Sequence, residues 1–356
     1  MKKIGIITYH RAINYGAVLQ CYALSQTLKK LGYNAFVIDY DSMVMKKNRQ
    51  LFNFEDIVSF LFSLKMLSSK LHAIHNFDSF IKKHIPTTDC NALLSGENHW
   101  DAIIVGSDQV WSPRINNGFD DIYWGNFRKD LKKITYAASM GTDHKLSATD
   151  KKAVIIGVEN FEKISVRENS LLNELKSIGV SKEIVKVLDP TLLLSSNDYD
   201  IIIEKDCKYK NYIFYYEIRY DKCTLSFLYR LAKQLNCKIV SLLGPKAHFN
   251  DVEYIRLSHG DVTVELFLSL IKNAKCVVTS SFHGTAFSII YKKDFYSFVH
   301  KDCDRARDLL DSIGLRDRMV SPQDTIDFLS TNYSQAEKLL SNQVVCSTNY
   351  LLTSIN

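Results

Sequence analysis

At 356 residues the chain exceeds the roughly 250–300 residues at which a single hydrophobic core stops growing, so two domains are expected. Hydrophobic residues make up 46% and charged ones 24%, a globular balance that excludes the disordered and fibrous classes. Lys and Arg number 45 against 39 Asp and Glu; the formal charge of +6 favours anionic substrates or an anionic membrane face, but the basic residues are scattered and match no nucleic-acid-binding pattern.

The first unit reads as βαβ: Lys3 to Tyr9 a buried strand, Gly16 to Leu31 a helix, Gly32 its terminator and Asn34 to Tyr40 a second strand. Within the helix, Ala17, Cys21, Leu24, Leu28 and Leu31 recur at three- and four-residue spacing and make one apolar stripe. Residues 52 to 83 read as one or two amphipathic helices carrying Lys65, Lys70, Lys82 and Lys83. Short apolar runs follow at Asp101–Val105, Lys133–Ala138, Lys163–Val166 and Ile184–Leu188, an alternation that implies a largely parallel sheet covered by helices.

A polar stretch from Ser195 to Lys210 marks a domain boundary, after which a second series begins. It runs strand Tyr212–Tyr216, helix Thr224–Leu235, strand Lys238–Leu243, helix Val262–Asn273, strand Cys276–Ser280, a helix from about Gly284, and strand Phe295–Val299. The expected architecture is α/β, two Rossmann-like domains facing across a cleft, with boundaries at 1–195 and 196–325. Residues 326–356, with a helix over Ser334–Leu340, form a tail expected to pack back on the first domain.

The eight cysteines (21, 90, 207, 223, 237, 276, 303 and 346) form no CxxC pair and no Cys/His cluster of zinc-ligand spacing, so they read as reduced core thiols and no metal is expected. The opening Met1-Lys2-Lys3 runs into an apolar stretch too short for a signal peptide. No uncharged apolar stretch reaches the roughly 18–20 residues of a membrane span. The expected location is the cytoplasm, with peripheral contact at the inner membrane face left open.

Candidate chemistry gathers at strand ends. His283, in Ser280-Ser281-Phe282-His283-Gly284, stands between a strand and a helix N-terminus, where unpaired N–H groups hold anions and an imidazole can act as acid or base; the alternative is a hydrogen-bonded structural histidine. Arg167, after Ile164-Ser165-Val166, suits bidentate contact with a carboxylate or phosphate, or an ion pair with Glu168 or a neighbour. Asp108 with Trp111 suits a sugar, the acid on hydroxyls and the ring under an apolar face; the alternative is helix capping. Asn14-Tyr15-Gly16 opens the first helix where a ligand can approach the backbone, but no GxGxxG accompanies it, which disfavours a dinucleotide. Arg305 and Arg307 line the same cleft or solvate a helix face.

In order, these segments resemble the polysaccharide pyruvyl transferase family over most of the chain. The pieces are Gly5-Ile6-Ile7-Thr8-Tyr9 through Asn14-Tyr15-Gly16-Ala17-Val18-Leu19-Gln20, Val105-Gly106-Ser107-Asp108-Gln109-Val110-Trp111, Ser165-Val166-Arg167-Glu168, Leu188-Asp189-Pro190-Thr191 and Ser280-Ser281-Phe282-His283-Gly284. The resemblance implies a GT-B-like fold and transfer of the enolpyruvyl unit of phosphoenolpyruvate, a co-substrate rather than a cofactor, onto a sugar or lipid-linked oligosaccharide as a cyclic ketal. It implies His283 as the acid/base, and the strand-end carboxylate Asp108 is expected as the second catalytic group. Arg167, Ser280, Ser281, Phe282 and Gly284 would hold the donor, and Asn14, Tyr15, Gly16 and Trp111 the acceptor. Several family members carry Arg two places before the His, where this chain has Ser281; Arg305 or Arg307 is expected to replace it. The rival readings are a GT-B glycosyltransferase using a nucleotide sugar and a degenerate domain that only binds.

Overall fold

The computed structural model describes residues 1–52, 54, 56–141, 146–217, 223–298, 304–321, 323–324, 328 and 330–356. Val299, the last residue of one expected strand, and Cys303 lie outside the described residues. The chain divides into two compact units, one made of residues 1–49, 81–194 and 341–356, the other of 50–80 and 195–340.

Unit 1 is built on a parallel sheet of five strands: β1 (Lys3–Ile7), β2 (Asn34–Asp39), β3 (Thr87–Asp89), β4 (Ala102–Val105) and β5 (Lys133–Thr135), in the order β3-β2-β1-β4-β5. The central strands β1 and β4 are apolar runs buried almost throughout, the pattern of a parallel sheet covered on both faces. Single bridges from Ile134 and Ala138 carry the sheet on to the pair β6 (Ile164–Val166) and β7 (Ile184–Lys186). The helix Tyr15–Lys30 is capped by Asn14, whose side chain accepts from the Ala17 N–H at 3.1 Å. It closes on Gly32 in the left-handed region, with the Tyr33 N–H reaching back to the Leu28 carbonyl at 3.0 Å, a Schellman ending.

Unit 2 holds six parallel strands: β8 (Tyr212–Tyr216), β9 (Lys238–Leu242), β10 (Tyr254–Leu257), β11 (Cys276–Thr279), β12 (Asp294–Phe298) and β13 (Met319–Val320), in the order β10-β9-β8-β11-β12-β13. Renumbered within the unit this is 3-2-1-4-5-6, the doubly wound order of a Rossmann fold, and unit 1 repeats its first five places. Each unit is thus Rossmann-like. In each, the strand order reverses at one point, between β1 and β4 and between β8 and β11, and ligands in such sheets bind outside the carboxyl ends of the strands there.

Four expectations change. A break at 195 leaves residues 50–80 with the first domain, whereas they pack in unit 2, where Ser69 meets Ser258 at 3.1 Å and Asn76 donates to the Gly260 carbonyl at 3.3 Å. The last helix runs Ser334–Ile355, far beyond Leu340; within unit 1 its end accepts the Leu188 N–H on Ser347 at 3.0 Å and donates from the Tyr350 hydroxyl to the Thr135 carbonyl at 3.0 Å. Helix Ile57–His84 is long and apolar enough, by length and composition, to cross a membrane, although only 6% of its most apolar stretch is buried. The sequence reading set aside stretches that hold a charge, and Lys65 and Lys70 interrupt this one. Among the cysteines, Cys223 and Cys346 are exposed rather than core thiols.

Candidate functional site

In unit 1 the chain leaves β4 through Gly106, whose φ of +111° and whose missing Cβ, which would stand 2.4 Å from the Tyr136 carbonyl oxygen, leave room for no other residue without a shift. Ser107 follows, its backbone carbonyl accepting from Thr8 Oγ1 at 2.8 Å, so the ends of β1 and β4 are tied together. Asp108 comes next at φ +74°, nearly buried. Arg167, at the end of β6, is buried against three carboxylates: Asp189 at 2.7 Å, Asp108 at 3.5 Å and Glu168 at 3.6 Å. Burial opposes its charge, but the attraction of Asp189, Asp108 and Glu168 outweighs that and raises its pKa. The carboxylates are themselves held, Asp189 by Thr191 through its N–H at 3.0 Å and its hydroxyl at 2.8 Å, and Glu168 by the Ser139 hydroxyl at 2.5 Å.

Arg167 was expected to clamp a donor carboxylate, with an ion pair as the alternative, and the ion pair is what the fold contains. A further anion there would join three carboxylates already gathered around a buried guanidinium. Asp108 lies beside it, so these two expected site residues are brought together. Trp111 is not a sugar platform: it is fully buried, stacked on Trp124 with centroids 4.7 Å apart, and its Nε1 donates to the Tyr123 carbonyl at 3.0 Å. Tyr15 and Gly16 are likewise buried in the first helix, and of the three expected there only Asn14 is exposed.

Two groups at the carboxyl ends were not singled out from sequence. His10, just past β1, is fully buried, with Nε2 2.9 Å from Asp39 Oδ1 and Nδ1 3.3 Å from the Thr8 carbonyl. Arg11 adds two bonds to Asp39, at 2.8 and 2.5 Å. The bonds from His10 and Arg11 hold the Asp39 carboxyl well below the usual range. The signal was available, since both residues follow apolar strand runs.

In unit 2, β11 gives way through Ser280 to the helix Phe282–Ile290, which begins two residues before the expected Gly284. Ser281 is its N-cap: its hydroxyl accepts from the Gly284 N–H at 3.3 Å, and its own N–H donates to Thr279 Oγ1 at 3.0 Å. Gly284 is required because a Cβ would stand 2.3 Å from that same Thr279 oxygen. His283 sits in the first turn, 7% exposed, with the Phe282 ring edge-on at 5.1 Å. Glu217, the residue after β8 and missed from sequence, is also buried; it accepts from the Thr224 hydroxyl at 3.4 Å. Because Tyr216 pairs with Thr279, Glu217 and Ser280 leave neighbouring strands side by side. Arg305 and Arg307 lie in the first turn of helix Asp304–Ile313, half-buried. Among the described residues no group of three or more His, Cys, Asp or Glu side chains is arranged to hold a metal ion.

The sequence profile of the polysaccharide pyruvyl transferase family matches residues 14–302. No curated protein matches the sequence. Among solved structures, the UDP-GlcNAc 2-epimerase of Methanocaldococcus jannaschii is 12% identical with a TM-score of 0.50, covering 97% of this chain and 93% of that one. UDP-N-acetylglucosamine 2-epimerase from Rickettsia bellii is 12% identical (TM-score 0.45; 99% and 98% covered), and the UDP-GlcNAc 2-epimerase from Neisseria meningitidis, solved bound to UDP-GlcNAc, is 11% identical (0.46; 100% and 94%). The Methanocaldococcus likeness speaks for the fold, two Rossmann-like domains of the GT-B type.

Proposed function

Because the chain belongs to the polysaccharide pyruvyl transferase family, we propose that it moves the enolpyruvyl unit of phosphoenolpyruvate onto a sugar of a surface polysaccharide or of its lipid-linked precursor, leaving a pyruvate ketal. The observation that carries this reading is the place of His283: at the strand-order reversal of unit 2, in the first turn of a helix whose N-terminal N–H groups favour an anion, inside the span the family profile matches.

His283 gives a proton to the methylene carbon of the donor, and the adjoining carbon becomes oxocarbenium-like. A sugar hydroxyl adds there and loses its proton. The carbon–oxygen bond to phosphate then breaks, a second hydroxyl adds to the same carbon, and its proton is lost as the ring closes. One proton has gone to carbon and two have come from hydroxyls; His283 recovers one, and the other departs with phosphate. Ser280, Ser281, Phe282 and Gly284 frame the donor, and Glu217 stands on the adjoining strand end as a second proton acceptor. Asp108, held by Arg167, serves the acceptor hydroxyls; Arg167 acts through Asp108 rather than on the donor. No cofactor beyond the donor is needed, and we place the reaction in the cytoplasm, toward the inner face of the membrane.

The test is incubation with phosphoenolpyruvate and a panel of sugar acceptors, following phosphate release and the mass gain of the product. Stabilisation of the fold by nucleotide sugars and not by phosphoenolpyruvate would instead favour the glycosyltransferase reading, and no response to either a binding module. If Arg305 or Arg307 replaces the cation missing at Ser281, then Arg305→Ala or Arg307→Ala raises KM for phosphoenolpyruvate about tenfold or more, as expected for loss of a charge-assisted contact of about 1.5–3 kcal/mol. An unchanged KM in both sinks that assignment.

A further inference from the structure

The helix Ile57–His84 changes character halfway along. Its second half has Ala73, Phe77 and Phe80 buried, and it shows water Ser68, His72, His75 and Ser79, with Leu71 44% exposed beside them. The same face of its first two turns is apolar: Ile57, Val58, Leu61 and Phe62 are 58–78% exposed, Leu64 is 43% exposed, and Phe54, just before the helix, is 78% exposed. A surface meant for water would continue the serines and histidines toward the N-terminus. An exposed apolar stretch of this kind, at the end of a helix anchored elsewhere, marks an interaction surface.

We infer that this face, from Phe54 to Leu64, inserts into the surface of an anionic bilayer. Charge favours that occupant. The chain carries a formal charge of +6, and Lys65 is exposed within the apolar face, where its ammonium can reach headgroups while its stem stays among the acyl chains. The chemistry also suits lipid better than protein: the face has no Tyr, Trp or Arg, the residues that anchor protein interfaces, and consists of Phe, Leu, Ile and Val. Two turns of helix rise about 11 Å, less than half of a hydrocarbon core of about 30 Å, and the second half, packed through Ala73, Phe77 and Phe80, cannot follow. The helix therefore lies in one leaflet and does not span. The inference is independent of the pyruvyl-transfer reading, and the assay that follows contains neither donor nor acceptor, so its failure leaves that reading standing.

The experiment is flotation of the full-length protein with vesicles of phosphatidylglycerol and phosphatidylcholine, beside pure phosphatidylcholine. Binding is expected to the anionic vesicles, to weaken with added salt, and to fall about tenfold or more in Ile57→Ser/Leu61→Ser/Phe62→Ser, which removes apolar area worth that much in partitioning. The three side chains are exposed, so the melting temperature should hold, and a variant that keeps its melting temperature makes the loss specific. The inference is overturned if the unaltered protein stays in solution, if the triple variant floats equally well, if bound protein resists alkaline carbonate as a spanning helix does, or if the variant abolishes self-association while lipid binding is absent.

Discussion

The two units share a sheet order but differ in what stands at the carboxyl ends of their strands. In unit 1 the strand ends carry charged groups in mutual contact, Arg167 among Asp189, Asp108 and Glu168 and Arg11 on Asp39, with the His10 ring hydrogen-bonded to the same Asp39. In unit 2 the corresponding place is made of hydroxyls, an imidazole, one carboxylate and a helix N-terminus. A buried cation that already faces three carboxylates holds its surroundings rigid and gains little from a ligand. A helix N-terminus with a hydroxyl cap keeps its positive end for an incoming anion. The same topology thus yields a charge-locked scaffold in one unit and an anion-receptive turn in the other.

The comparison breaks most sharply at His283. His283→Ala should lower kcat about 10²–10⁴-fold, the range for loss of a general acid–base group, with little change in melting temperature. Steady-state kinetics beside a thermal melt decide it: activity kept, or lost only together with the fold, would make His283 a structural residue and return unit 2's turn to scaffold status.

Unit 1 should answer in the opposite way. Asp189→Ala removes the nearest partner of a buried guanidinium, and breaking such a pair costs about 3–5 kcal/mol. Urea unfolding would register that as a lower midpoint. An unchanged midpoint would mean that Asp108 and Glu168 suffice for Arg167, and that Arg167 is more available to a ligand than its 2.7 Å contact implies.

Much of this was legible in the sequence because it depends on local pattern. The apolar runs at β1, β4, β8 and β11 and the stripe of the first helix fix the parallel sheets, and the turn around His283 could be read from a strand end meeting a helix start. The partners of Arg167 could not be read so directly. Asp189 is 22 residues away and comes to Arg167 only through the pairing of β6 with β7. Trp111 misled for a related reason: a tryptophan after a strand-end acid looks like a sugar platform, and nothing local reveals that Trp124, thirteen residues on, will cover its face. Residues 50–80 illustrate the same limit, since their contacts with Ser258 and Gly260 lie nearly 190 residues away in the chain.

Gly106 tests the scaffold from its backbone. Gly106→Ala puts a methyl 2.4 Å from the Tyr136 carbonyl oxygen at a φ of +111°, where L-residues are strained by about 1–3 kcal/mol. The expected result is a lower unfolding midpoint together with a fall in kcat/KM, because Asp108 sits two residues on and would be re-aimed. Loss of stability with unchanged kinetics would separate Asp108 from the chemistry.

Ser281 carries the smallest expected effect and the finest distinction. It occupies the place where the family pattern has Arg, yet here its hydroxyl caps the helix that bears His283. Ser281→Ala should cost about 1 kcal/mol, the usual worth of an N-cap, and the Gly284 N–H it leaves buried should loosen the turn. Ser281→Arg loses the same cap but adds a cation at the position the family pattern fills. If unit 2 receives the donor, the Arg variant melts below the parent, as the Ala variant does, while its KM for phosphoenolpyruvate falls below that of Ser281→Ala. Equal KM values in the two variants would mean that no donor anion comes within reach of residue 281, and that the hydroxyl serves the helix alone.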